Sequence, residues 1–234
     1  DLYPFLETHD LVGALYDPND GDIDPAQLTQ ALAKGARDLG AKILRFTPAI
    51  GVTQKNDKTW TVHTEKGDIN CQYIVNAAGY YAQQVGEWFK PYGGRTVPMM
   101  VMSHQYLLSE EIPEIENYAK KSGKKLPLLR DVDISYYLRQ EKNGFNLGPY
   151  EPNCKAHWTT EDGPMPDDFS FQLWNDDLDR IEDIVSDAME RVPLLGTSGV
   201  SRIINGPIPY APDGLPLIGP MPGVENGFEA CVFT

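Results

Sequence analysis

Residues 74–81 carry the densest chemical signal in the chain. Ile74 and Val75 are apolar; Asn76, Ala77, Ala78 and Gly79 then leave the backbone almost bare before Tyr80 and Tyr81. Backbone without side chains admits a second backbone, or a flat ligand, at close range. Ala82, Val85, Trp88 and Phe89 follow at helical spacing, so a buried strand, a small-residue turn and a helix are expected in that order. Nucleotide-binding α/β proteins present a cofactor at such a strand end. Any α/β domain can also use this turn for packing alone. Two further positions have side chains suited to proton chemistry. His104 lies beside Gln105 and Tyr106 in a strand-like stretch, and an unperturbed imidazole titrates near pH ~6.5. Tyr137 offers a phenol that donates and accepts, with a reference pKa near ~10. A hydrogen-bonded core histidine and a packed tyrosine are the structural alternatives. Arg130 and Arg139 suit a carboxylate, either a ligand's or the protein's own.

Composition removes several classes. The 234 residues carry a net charge of −14, which disfavours nucleic acid and anionic membrane surfaces as partners. No apolar run approaches the ~20 residues of a membrane span, and residues 1–5 lack the pattern of a signal peptide. Cys71, Cys154 and Cys231 are odd in number and far apart. None shares the short spacing of a zinc or redox site, and a reducing compartment is expected. His9, His63 and His157 do not cluster with His104, so no metal site is expected.

These residues need elements to position them. Asp24 and Pro25 start a helix striped by Leu28, Leu32, Ala36 and Leu39 and stopped by Gly40. Residues 42–46 read as a short strand, 60–64 as a second, and 69–75 as a third returning after a Lys66-Gly67 turn. Residues 101–108 form a strand candidate, and 113–125 look polar and loop-like. Residues 135–139 and 144–148 flank Lys142-Asn143-Gly144, a strong hairpin signal. Residues 149–169 are irregular. The clearest helix has Trp174, Leu178, Ile181, Val185, Ala188, Met189 and Val192 on one face. His104 and Tyr137 are expected on adjacent strands, facing a common cavity. No GxGxxG or Walker-type turn occurs, so no segment here is expected to cradle a pyrophosphate. The chain is expected to be an internal piece of a longer polypeptide.

Several runs then coincide with one family. They are Gly13-Ala14-Leu15-Tyr16-Asp17-Pro18 through Asp24-Pro25, Asn76-Ala77-Ala78-Gly79, His104-Gln105-Tyr106, Tyr137-Leu138-Arg139, Gly148-Pro149-Tyr150-Glu151, Asp177-Leu178-Asp179-Arg180 and Pro212-Asp213 to Gly219. Together they resemble the flavin region of dimethylglycine and sarcosine dehydrogenases, within the D-amino-acid-oxidase-like flavoproteins. The resemblance implies part of an FAD-binding α/β domain (residues 1–96 and 206–234) and a substrate domain (97–205) with a mainly antiparallel sheet covered by helices. It implies FAD-dependent oxidative demethylation of a small N-methyl amine, with oxygen or an electron carrier as acceptor. Tetrahydrofolate would act through a C-terminal domain not included here. His104 and Tyr137 then face the amine, while Ala49, Ala78, Gly79 and Tyr81 contact FAD; Tyr81 stands where relatives usually carry tryptophan. A bacterial cytoplasm or mitochondrial matrix is the implied location. The isolated piece is not expected to be active. A catalytically silent regulatory relative of the same fold is the alternative.

Overall fold

Gly144–Pro149 has no charged residue and is buried along its whole length, and the largest sheet is built around it. In this computed structural model, which describes residues 2–233, the chain divides into two compact units. The first comprises Asp1–Thr29, Ser103–Lys155 and Phe169–Gly206, the second Gln30–Met102, Ala156–Asp168 and Pro207–Thr234. The helices are α1 (Pro25–Asp38), α2 (Ala82–Glu87), α3 (Pro113–Ser122) and α4 (Glu182–Arg191). The strands are β1 (Ala49–Gln54), β2 (Trp60–Thr64), β3 (Ile69–Cys71), β4 (Ile74–Asn76), β5 (Met100–Ser109) and β6 (Leu129–Asp131). They continue with β7 (Tyr136–Glu141), β8 (Gly144–Pro149), β9 (Ala156–His157), β10 (Val200–Tyr210), β11 (Leu217–Pro220) and β12 (Gly227–Cys231). No described helix is long and apolar enough to cross a membrane.

The large sheet has the order β10-β5-β8-β7-β6, with β9 on the start of β5. Pairing is antiparallel from β5 through β6. The β7–β8 hairpin closes at the expected turn, with Lys142 at φ 53°. In the first unit Tyr136, Leu138, Phe145 and Leu147 pack with Ile112, Ile115, Ala188 and Val192. Each fully buried aliphatic side chain contributes roughly 1.5–3 kcal/mol.

The phenols of Tyr3 and Tyr136 enter this region without a hydrogen-bond partner among the described residues. Burial raises both pKa values well above the ordinary tyrosine value. The unfolded chain therefore releases these protons from about pH 10, while the native protein keeps them. Stability is intact below that pH and falls as pH rises through the window above it. Alkaline phenolate absorbance is expected to show two of the twelve tyrosines ionising only together with unfolding. Reversible ionisation of all twelve in the native state would contradict this burial.

Two segments of the first unit depart from expectation. Residues 113–125, expected as loop, contain α3. Pro113 begins it, Glu114 and Glu116 occupy its first turn, Lys120 and Lys121 its last, and Gly123 caps it in the left-handed region. These charges complement the helix dipole, and Ile115 is fully buried. The helix expected from Trp174 instead starts at α4, after a 3-10 turn at Leu178–Arg180. Tertiary bonds hold the preceding backbone extended. Trp174 N–H donates to the Asn205 carbonyl at 3.0 Å, and the Gln105 amide bonds both the N–H and the carbonyl of Asp177 at 2.8 and 2.9 Å.

In the second unit, β1-β2-β3 form an antiparallel meander, and β12 pairs antiparallel with β11 and parallel with β4. Trp60 is fully buried, edge-on to Phe89 and Tyr92 at 5.3 and 5.2 Å. Residues 42–46 form no strand, and 69–75 split into β3 and β4, which join different sheets. Val75 is 54% exposed rather than buried, because β4 is the outer strand of its sheet. Helix α1 forms as expected, with Asp24 Oδ1 accepting from Gln27 N–H at 2.8 Å, yet it buries no residue.

Candidate functional site

Strand register decides which side chains share a surface in the first unit. Leu107, Leu147 and Leu138 lie opposite one another and are all buried. One residue along each strand, side chains turn to the other face. There Tyr137 is opposite Gly148 on β8 and Arg130 on β6, and continuation of the β5–β8 register brings Tyr106 to the far side of Gly148. His104 follows two residues along β5 on that same face. The two candidate proton-handling residues thus share a face, but not adjacent strands, because β8 lies between β5 and β7. The uncharged β8, buried at every position, takes the central place, since both its faces are covered.

Gly148 explains how Tyr137 reaches across. A Cβ at Gly148 would run into the Tyr137 ring, so that ring lies over the bare backbone of β8, edge-on to Tyr150 at 5.9 Å. Burial raises the Tyr137 phenol, opposed by the charges of Arg139 and Arg130. Arg139 is already engaged by Asp22 and Glu141, each at 3.2 Å. Arg130 is exposed and lines a cavity of about 710 Å³ with Tyr16, Asp22 and Asp131.

His104 sits beside a buried acid that spacing did not single out. Its Nδ1 is buried, without a hydrogen-bond partner among the described residues, and lies 3.7 Å from Glu151 Oε1. Glu151 has a side chain 1% exposed. Its Oε1 accepts from Gln105 N–H at 3.0 Å, and its Oε2 accepts from Arg180 Nε at 2.5 Å. Arg180 Nη1 donates to Ser103 Oγ at 2.8 Å. Burial lowers the His104 pKa; Glu151 opposes this and Arg180 reinforces it. The ring is therefore mainly neutral at pH 7, the state that accepts a proton. Cys154 joins His104 and Glu151 with ligand-type atoms within 4.8 Å. A cation there would face the Arg180 guanidinium, which already holds the carboxylate.

The second unit holds the remaining candidates. Ala49 is an exposed residue at the start of β1. Asn76 Nδ2 donates to the Ala82 carbonyl at 2.9 Å, and Asn76 Oδ1 accepts from Ala78 N–H at 3.3 Å. These bonds fix the turn after β4. Gly79 has φ +60°, with nothing within 4 Å of the place a Cβ would take. Tyr80 and Tyr81 follow with ring centroids 4.8 Å apart. A nearby cavity of about 420 Å³ is lined by Tyr80, Gln83, Gln84, Met99, Trp158 and Met165. Neither cavity is lined by His104 or Tyr137.

A strand-end turn in one unit and an antiparallel sheet in the other define an α+β protein. Residues 1–233 match the model of the family described as FAD dependent oxidoreductase, and the chain belongs to that family. It is 41% identical to the mitochondrial dimethylglycine dehydrogenase of Mus musculus, over 100% of this chain and 26% of that protein. To the mitochondrial sarcosine dehydrogenase of Mus musculus it is 33% identical, over 100% of this chain and 24% of that protein. The chain thus spans about a quarter of the length of these curated relatives. The crystal structure of L-proline dehydrogenase from P. horikoshii superposes with a TM-score of 0.72 at 23% identity, covering 93% of this chain and 52% of that one. The turn at Ala78 and Gly79 fits the family's cofactor, because its backbone is open to a flat ring. Residues 1–234 contain no GxGxxG turn, so the open backbone at Ala78 and Gly79 fits only part of the dinucleotide.

Proposed function

We propose that this chain forms the amine-facing region, and part of the FAD-binding region, of an enzyme that oxidatively demethylates a small N-methyl amine such as dimethylglycine or sarcosine. The reading takes residues 97–205 as the substrate domain and 1–96 with 206–234 as the FAD-binding domain, although residues 2–29 pack with 103–155 and 169–206, and residues 97–102 and 156–168 pack with the other unit. The observation that carries the reading is the half-buried imidazole of His104 on one sheet face with Tyr106 and Tyr137, where desolvation favours its neutral form. Amine oxidation needs the nitrogen lone pair free, so an ammonium substrate must first lose a proton. His104 accepts that proton, and the Tyr137 phenol hydrogen-bonds the amine and orients it. Ala49, Ala78, Gly79 and Tyr81 hold part of FAD. FAD, when bound, would supply the two-electron acceptor for oxidation of the carbon beside nitrogen to the iminium level. Transfer of the one-carbon unit to tetrahydrofolate, a carrier or oxygen as electron acceptor, and a bacterial cytoplasmic or mitochondrial matrix location complete the proposal.

Anaerobic mixing of the full-length, FAD-loaded protein with dimethylglycine or sarcosine is expected to bleach the oxidised-flavin absorbance, and unmethylated glycine is not. A spectrum that no amine changes would overturn the enzymatic reading in favour of the silent regulatory relative.

A further inference from the structure

Two sequence runs, Gly148-Pro149-Tyr150-Glu151 and Asp177-Leu178-Asp179-Arg180, have no part in the reaction described so far, yet their last residues meet beside His104. We propose that Glu151 and Arg180 are opposed positioning residues for His104: Glu151 holds the imidazole by its Nδ1 edge, and Arg180 holds Glu151. This rests on the reading of His104 as the group that accepts the amine proton.

Three observations support it. Glu151 is buried but not idle, since Arg180 and the Gln105 N–H fix both its oxygens and aim Oε1 toward the ring. His104 Nδ1 has no other partner among the described residues, so its natural donor direction is that oxygen, 3.7 Å away. Donation from Nδ1 to that oxygen requires the separation to close to hydrogen-bond length. The proton then sits on Nδ1 and the lone pair on Nε2, the tautomer a base requires. Finally, Arg180 is itself tied to Ser103 Oγ, and Asp177 Oδ2 stands 3.9 Å from its Nη1. The Gln105 amide anchors that segment to β5. The clamp therefore belongs to the sheet that carries His104.

The charges oppose each other. Glu151 favours the protonated ring, and Arg180 disfavours it. Without Arg180, the buried carboxylate would act unopposed by that charge and raise the His104 midpoint, with desolvation still the larger influence. Without Glu151, the ring would lose its orientation, and burial with Arg180 would suppress its protonation further. Cys154 is the other titratable neighbour. Burial, reinforced by Glu151, raises its thiol, so it stays uncharged.

The test is an NMR titration of His104 in the full-length holoenzyme, with its resonance assigned by loss in His104→Gln. Glu151→Gln is expected to lower the His104 midpoint, and Arg180→Gln to raise it. A purely structural role predicts otherwise: loosening the site would hydrate the ring and raise the midpoint toward the ordinary value in both variants. Equal directions would therefore overturn the proposal. If a single variant does not fold, the double variant Glu151→Gln/Arg180→Gln decides, because removal of opposed charges leaves the midpoint near the parent's. A midpoint at the ordinary value would count against the clamp. The acid limb of kcat/KM separates the two readings. It should follow the NMR midpoint, with tenfold change at fixed pH for each unit of displacement. Opposed NMR shifts with an unmoved acid limb would keep the clamp and remove His104 from the proton step.

Discussion

Replacing His104 with alanine is expected to slow amine-driven flavin reduction by ~10²–10⁴-fold, the usual cost of losing a positioned acid–base group. That corresponds to roughly 3–5 kcal/mol of transition-state stabilisation. Bound FAD should change little, because the candidate cofactor contacts lie on β1 and the turn after β4, not on β5. Stopped-flow reduction without oxygen, normalised to bound flavin, makes the comparison. A histidine serving only the core would behave differently: stability would fall while the rate per folded molecule stayed constant. An unaltered reduction rate across the pH range would return His104 to the core.

The second large effect concerns stability. Arg191 ends α4 and binds Asp131 on β6 at 3.1 Å, Asp10 through two bonds at 2.6 and 3.0 Å, and the Glu7 carbonyl at 2.9 Å. The Asp131 side chain is 9% exposed. Arg191→Met is expected to cost about 3 kcal/mol, because it leaves a buried carboxylate without its cation. The Asp10 arm is exposed and adds little. Denaturant midpoints of Arg191→Met and of Arg191→Met/Asp131→Asn provide the check, with the double variant recovering part of the loss. Arg191 also holds the Asp10 carboxyl down to about 2. The Asp10 contribution is thus present above its ordinary value near 3.8 and lost as pH falls toward 2. In Arg191→Met this acid-linked loss should disappear. A parent-like midpoint would show that the network is surface ornament.

Local pattern made part of this protein legible. Alternation marked β2, a strand-like run marked β5, the Asn-Gly turn marked the β7–β8 hairpin, and an N-cap followed by proline marked α1. Small residues marked the turn after β4. What stayed hidden depended on distant partners. α3 has few apolar residues and is announced mainly by the charges at its ends. The early start expected for the helix after Trp174 gave way to hydrogen bonds from Gln105 and Asn205, which no local spacing encodes. The strand order escaped because a hairpin does not say which of its strands will meet β5. The Glu151–Arg180 pair escaped for a related reason. Its residues lie 29 positions apart, and nothing in a charged residue's own neighbourhood distinguishes a buried clamp from a solvated surface.

The parallel pairing of β4 with β12, Ile74 opposite Gly227 and Asn76 opposite Glu229, has a consequence for how the chain is made. A ribosome issuing ~5–20 residues per second delivers β12 on the order of ten seconds or more after β4. The meander β1-β2-β3 needs no later strand for its hydrogen-bond ladder, although Trp60 on β2 is covered only when Phe89, Met221 and Val224 arrive. Throughout that interval β4 is a nascent strand waiting for its only described partner, and open strands template misassociation. Slower translation or loss of holdase chaperones is therefore expected to lower the yield of this protein.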